Sequence, residues 1–153
     1  IVGQQLGSGD LERAKDTDRK LIFFSFCLTI LIGAILSLLS SYIPRIYKTE
    51  AAVQELAYLL ILCAALTMPI DSLAVTGYFT IRSGGKTLIT FLFDSAYSWV
   101  VTIPLAWCLV HFTNLPIVPL YFIVRFSGII KSGLGLVLVH KGIWCQNIVA
   151  EAK

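Results

Sequence analysis

The chain has 153 residues, of which 57% are hydrophobic and 14% charged, and its mean hydropathy is +0.82. This composition excludes an ordinary soluble domain and indicates a helical membrane protein with several spans. The net charge of +3 comes without a basic run interleaved with aromatic residues, so no nucleic-acid partner is predicted. Because the chain opens on Ile1, we expect an internal or C-terminal piece of a longer protein.

Residues 1–20 are strongly charged after a glycine-rich start, and they predict the cytoplasmic end of a preceding helix and a solvated connecting segment. Asp10 is suited to cap a helix that runs into the first span. Within residues 21–140, four apolar runs predict transmembrane helices. These runs lie at about 21–39, 56–81, 88–110 and 117–139, and a tail at 141–153 follows them.

Lys and Arg residues are distributed unevenly between the two sides of the predicted bundle. The opposite side has only Arg45 and Lys48, whereas eight basic residues lie on the side that holds both chain ends. These eight are Arg13, Lys15, Arg19, Lys20, Arg82, Lys86, Lys141 and Lys153. The positive-inside rule therefore places both ends in the cytoplasm, and we expect a multi-pass protein of the cell (inner or plasma) membrane.

Asp71 lies near the middle of the second span, eleven residues before Arg82, or about 16 Å at 1.5 Å per residue. An ionised carboxylate at that depth costs about 2.5–3.5 kcal/mol on insertion scales. Pro69 precedes it and predicts a helix kink. Three roles are open for Asp71: bonding backbone groups freed at Pro69, pairing with Arg125 as a structural lock, or exchanging a proton or sodium ion.

Asp94 and Lys131 are predicted at similar depths, about 9–12 Å from the cytoplasmic ends of the third and fourth spans. Since a buried charge is tolerated when it is paired, the two predict a structural ion pair. A direct transport role for Asp94 is the alternative. Arg125 is the basic side chain nearest to the depth of Asp71, which makes it a candidate for lining a cavity.

The other reactive residues give no sign of catalysis. His111 and His140 fall at opposite interfaces, and the four cysteines lack a metal-ligand spacing. Gly85-Lys86-Thr87 is similar to the end of a phosphate loop, but Thr80 stands where the first glycine belongs. We predict no enzyme, no metal site and no cofactor other than a coupling proton or sodium ion.

The order of the motifs resembles the multidrug and toxic compound extrusion (MATE) transporters. Residues 2–10, Val-Gly-Gln-Gln-Leu-Gly-Ser-Gly-Asp, are similar to the glycine-rich segment that closes the second helix of each family half. Asp71 followed by Arg82, a glycine turn and Thr87 is similar to the tenth helix of the NorM-type branch. Residues 103–106, Ile-Pro-Leu-Ala, fit the helix after it.

The resemblance implies an all-α membrane fold with twelve helices in two six-helix lobes around a central cavity. This chain would supply the end of helix eight and helices nine to twelve. The family exports organic, often cationic, compounds against protons or sodium ions, so the implied partners are the bilayer, small organic substrates and the remaining lobe. The aspartate that matches Asp71 belongs to the cation site of the NorM-type branch, whose other acidic residue on helix seven would lie outside this chain.

Two alternatives to an exporter are open. A flippase of a related family, which moves lipid-linked sugars, would have a strongly cationic central cavity, and only Arg125 and Lys131 are available for one. A small four-helix membrane protein acting as an assembly subunit would use its charges for structure alone.

Overall fold

Four long helices make up the fold, and each is long and apolar enough to cross a membrane. The structure is a computed structural model, and it describes residues 1–145. The first span is Leu11–Leu39, the second Ala51–Ser83, the third Thr87–Phe112 and the fourth Ile117–His140. Short helices at Val2–Gly7 and Ile43–Ile46 precede the first and second spans, and residues 1–145 contain no strand. The predicted all-α membrane fold is confirmed.

The start of the chain is helical on both sides of a short turn. Val2–Gly7 is helical, and the first span already begins at Leu11. Asp10 caps this helix as predicted, because its carboxylate accepts a hydrogen bond of 3.2 Å from the backbone N–H of Arg13. A helix that has been started propagates at little further cost. The charged residues up to position 20 therefore form the first turns of the span rather than a connection.

One end of the bundle is closed by chain turns, and we name it the basic end. It is defined by residues 1–20, residues 80–86 and residues 139–145. Its core consists of Leu6, Ala14 and Trp144, none of which is more than 2% exposed. The short first helix and the end of the fourth span therefore pack together against the beginning of the first span.

Residues 141–145 are the beginning of the predicted tail at 141–153. They turn back over the bundle, where the indole N–H of Trp144 donates to the carbonyl oxygen of Val139 at 3.0 Å. Gly84 lies directly against this turn, since a Cβ built on it would be 2.1 Å from the Trp144 carbonyl oxygen. The contact therefore requires glycine. Residues 146–153 of the predicted tail lie outside the described residues.

The second span is the centre of the fold, because the first and fourth spans both pack along it. Gly33 of the first span faces the second-span backbone so closely that a Cβ there would be 2.8 Å from the carbonyl oxygen of Ala65. Gly77 faces Gly135 of the fourth span, with 3.5 Å between the built Cβ and the Gly135 carbonyl carbon. Small residues thus bring three backbones together.

The third span is an irregular helix with π-helical turns at Leu92–Ala96 and Ser98–Thr102. Pro104 follows them. Proline has no N–H, and its ring crowds the carbonyl group four residues earlier, so a widened turn relieves the clash. The span contacts the second span mainly through Thr87–Phe91 and the fourth span mainly near its other end. Its middle is therefore less closely packed than the other three spans.

Candidate ion-coupling site

The carboxylate of Asp71 pairs with the guanidinium of Arg125 between the second and fourth spans. Arg125 Nη2 lies 2.9 Å from Asp71 Oδ2. The two side chains are 34% and 35% exposed in this chain, so neither charge is sealed from its surroundings. This geometry matches the pair with Arg125 rather than a carboxylate that bonds backbone groups near Pro69. It also leaves the carboxylate within reach of a competing cation.

The fourth span leaves room for Asp71 and also fixes the turn that carries it. Gly128 faces the carboxylate, with 3.6 Å between a Cβ built on the glycine and Asp71 Oδ1. One turn later, the buried hydroxyl of Ser132 lies 2.7 Å from the carbonyl oxygen of Ile70 and 3.0 Å from that of Gly128. The backbone next to Asp71 is thus bonded across the helix interface.

Arg125 is only partly satisfied by its partners. Its guanidinium carbon lies 5.8 Å from the centre of the Tyr121 ring, one turn earlier, at a distance suited to a cation–π contact. Its Nε is buried and has no hydrogen-bond partner among the described residues. Leaving a buried donor unpaired costs about 1–3 kcal/mol, and more for a charged group. This conformation therefore does not satisfy every donor of the arginine.

Pro69 lies inside a helix that continues from Ala51 to Ser83. As proline lacks an N–H, the carbonyl group of Ala65, four residues earlier, receives no helical hydrogen bond from it. That carbonyl oxygen is the one that Gly33 approaches. The Ser72 hydroxyl donates to the Pro69 carbonyl oxygen at 2.8 Å and lies 3.1 Å from the Thr29 hydroxyl. The first span therefore supports the second at the weakened turn, and the predicted kink stays a prediction.

Lys131 Nζ lies against Asp94 Oδ1, so the structure brings together the two charges that the depth estimate paired. The side chain of Asp94 is 53% exposed and that of Lys131 is 21% exposed. The pair is therefore not buried within this chain, which differs from the predicted burial. The Tyr97 hydroxyl donates to the carbonyl oxygen of Ser127 at 2.7 Å on the same interface. These two contacts attach the middle of the third span to the fourth.

The structure also shows a buried acid that the sequence interpretation missed. The charge pattern predicts a solvated segment around Asp18, but this residue is only 4% exposed. Its Oδ1 accepts a hydrogen bond of 2.6 Å from the hydroxyl of Thr80, on the second span. Ala14, one helical turn earlier, is fully buried on the same face. A small residue four positions before an acid was the available signal, and it is too common to identify a contact.

The described residues contain no group of three or more His, Cys, Asp or Glu side chains placed to hold a metal ion. Asp18, Asp71 and Asp94 instead each contact a single hydroxyl or basic partner.

A comparison with known protein families finds a match that covers the larger part of the chain. The model of the family described as MatE matches residues 1–108 of the 153. The chain belongs to the MatE family. Neither the curated proteins nor the solved structures include a match to it. The family predicted from the motifs is therefore confirmed by a comparison that covers more than two thirds of the chain.

Membership in the MatE family indicates a multi-pass membrane protein that takes part in efflux, since members of this family are transporters and not enzymes. The matched residues include Asp71 and Asp94. They end before Arg125 and Lys131. The family match therefore covers the acid of each ion pair but not its basic partner.

Proposed function

We propose that this MatE protein is an antiporter that exports organic, often cationic, compounds against protons or sodium ions, with Asp71 as the coupling residue. The observation that carries the proposal is the pairing of Asp71 with Arg125 midway along the membrane helices. Charged residues at this depth in transport proteins commonly belong to an ion pathway. A proton or sodium ion and the guanidinium compete for the same carboxylate.

Competition for Asp71 couples the ion to the protein's conformation. When a proton or sodium ion occupies the carboxylate, Arg125 loses its counter-ion while its Nε still lacks a partner. A conformation that offers the guanidinium other acceptors then gains relative stability. When the ion leaves, the carboxylate attracts either Arg125 or a cationic substrate. Binding of the ion and of the substrate thus favours different states, as antiport requires.

The proposal includes the partners and the orientation. The remaining lobe of the transporter would complete the cavity beside Asp71, and no enzymatic step or further cofactor takes part. The excess of basic residues at one end supports a cytoplasmic location for the basic end and insertion in the cell (inner or plasma) membrane.

The flippase alternative receives less support than the exporter. The two basic residues available for a cationic cavity, Arg125 and Lys131, are each paired with a carboxylate. Pairing leaves little net positive charge for a lipid-linked phosphate. The family match also disfavours the assembly subunit, since an unrelated four-helix subunit would not be expected to match a transporter family over residues 1–108.

The test is Asp71→Asn in the full-length protein, reconstituted into liposomes with an imposed proton or sodium gradient. The readout is efflux of a fluorescent organic cation. We expect gradient-driven efflux to fall to the level of empty liposomes. The side-chain amide has a shape similar to that of the carboxyl group, but it does not bind a proton near neutral pH and carries no negative charge to attract cations. Asp94→Asn is the matched control, since it also neutralises one paired acid, and it should retain efflux.

Two further results complete this test. Asp71→Glu keeps a titratable carboxylate and should restore part of the coupled efflux. Efflux by Asp71→Asn at the wild-type rate, with the same dependence on the ion gradient, would show that another residue couples the ion.

A further inference from the structure

A cavity of about 780 Å³ opens at the basic end between the first and fourth spans. Lys15 and Arg19, from consecutive turns of the first span, and Lys141, just after the fourth span, lie on its rim. The lining below them is apolar and includes Ile22, Phe23, Phe26, Leu136 and Val137. The cavity therefore combines a basic entrance with a hydrophobic interior.

The charges at the rim favour an anion. Arg19 and Lys141 form no ion pair with any residue in the described part of the chain, whereas Lys15 pairs with Glu12 at 2.9 Å. Asp18 is the single acid in the lining, and its Oδ1 already accepts the Thr80 hydroxyl. Because Lys15 is neutralised by Glu12, the two remaining cations, Arg19 and Lys141, against the one carboxylate of Asp18 give the lining a net positive charge. That charge would repel the organic cations proposed as transport substrates.

The order of charged and apolar residues matches one leaflet of a bilayer. From Lys15 to Phe26 the first span rises eleven residues, or about 16 Å, close to half of the roughly 30 Å hydrocarbon core. On the fourth span, Leu136 lies five residues further into the bundle than Lys141. Both helices thus present basic groups at headgroup level and apolar groups at the depth of acyl chains.

We propose that this cavity binds an anionic phospholipid from the leaflet at the basic end. The phosphate would contact Arg19 and Lys141, and the upper acyl chains would lie against Phe23, Phe26 and Leu136. Basic pockets between membrane helices on the cytoplasmic side are a recurrent mode of anionic-lipid recognition. The apolar lining selects a lipid over free phosphate. This inference does not depend on which ion or substrate the protein transports.

The experiment is a titration of the full-length protein in detergent with phosphatidylglycerol, followed by native mass spectrometry. The groove variant is Arg19→Gln with Lys141→Gln, and the charge-matched control is Lys20→Gln with Lys86→Gln, at the same end but outside the cavity lining. We expect the groove variant to bind the lipid about 30-fold more weakly, equivalent to about 2 kcal/mol for two basic contacts. The control should bind as the wild type does.

Several results would overturn the proposal. They are equal losses in the groove and control variants, equal binding of phosphatidylglycerol and phosphatidylcholine by the wild type, and no lipid retained by the wild type, as when another part of the protein fills the cavity. Arg19→Lys with Lys141→Arg keeps both charges and should keep the preference for phosphatidylglycerol. Loss of the preference in this conservative pair would also contradict a phosphate contact made by charge.

Discussion

The basic end and the mid-depth ion pair are built in opposite ways. At the basic end, backbones and buried groups touch directly: Gly84 lies against Trp144, and Asp18 bonds Thr80 out of contact with solvent. At mid-depth, Asp71 and Arg125 keep about a third of each side chain exposed, and one guanidinium nitrogen lacks a partner. The same helices are therefore joined by buried contacts at one level and by a partly exposed ion pair at another.

This difference indicates which part of the fold can rearrange. Close backbone contacts tolerate little displacement, because protein interiors are packed as densely as organic crystals. An exposed ion pair can exchange its partner without opening a sealed core. The basic end should therefore act as a rigid clamp, while the surroundings of Asp71 change with ion binding. The following substitutions test the comparison by measuring how much stability each level contributes.

The largest effect is expected for Gly84→Ala at the basic end. Its Cβ would lie 2.1 Å from the Trp144 carbonyl oxygen and 2.7 Å from two further backbone atoms, so the turn must move away. Overpacking of this kind costs typically about 1–3 kcal/mol, and we expect the upper end because backbone cannot rotate aside. The measurement is unfolding in mixed detergent micelles, followed by circular dichroism.

Gly133→Ala is the matched control for this substitution. Nothing lies within 4 Å of a Cβ built on Gly133, and alanine is favoured over glycine inside a helix by about 1 kcal/mol. We expect unchanged or slightly higher stability. If both variants lost the same stability, the clamp at the basic end would be no tighter than the rest of the bundle.

A smaller effect is expected for Thr80→Val, which keeps the side-chain shape and removes the donor to Asp18. Leaving a buried carboxylate without this hydrogen bond costs about 2 kcal/mol, within the usual range for an unsatisfied group. Thr76→Val is the control one turn away, because that hydroxyl bonds only carbonyl groups of its own helix, those of Ser72 and Leu73. Its loss should be within about 0.5 kcal/mol. Equal stability of the two variants in the same unfolding experiment would exclude a structural role for the buried pair.

Much of the fold followed from the sequence, because length and hydropathy alone define membrane helices. The predicted 56–81 run lies inside the helix Ala51–Ser83, and the 117–139 run lies inside Ile117–His140. The helices extend beyond the apolar runs since hydropathy detects the lipid-facing part, while hydrogen bonding and capping determine where a helix ends. Asp10 shows this at the first span, where charged residues remain helical.

The contacts of the candidate site could be predicted from the sequence only where the depth of a residue along its membrane helix identified its partner. Counting residues along antiparallel helices brought Asp94 and Lys131 to the same level, and the structure has them in contact. Depth could not show which way a side chain faces, so the exposure of Asp94 and the burial of Asp18 were both missed. Rotation about a helix axis depends on packing partners, and these become known only when the helices are assembled.

The smallest effect is expected at mid-depth, for Ser132→Ala. The substitution removes the 2.7 Å hydrogen bond to the Ile70 carbonyl oxygen, next to Asp71. A neutral hydrogen bond contributes about 1 kcal/mol, and the better helix propensity of alanine offsets about half of that loss. Ser98→Ala is the control, since its hydroxyl bonds only the Asp94 carbonyl oxygen in its own helix. We expect a loss of about 0.5 kcal/mol relative to the wild type for Ser132→Ala, and no loss for the control, in the same unfolding experiment. A loss as large as that of Gly84→Ala would mean that the surroundings of Asp71 are held as firmly as the basic end, and the contrast between the two levels would disappear.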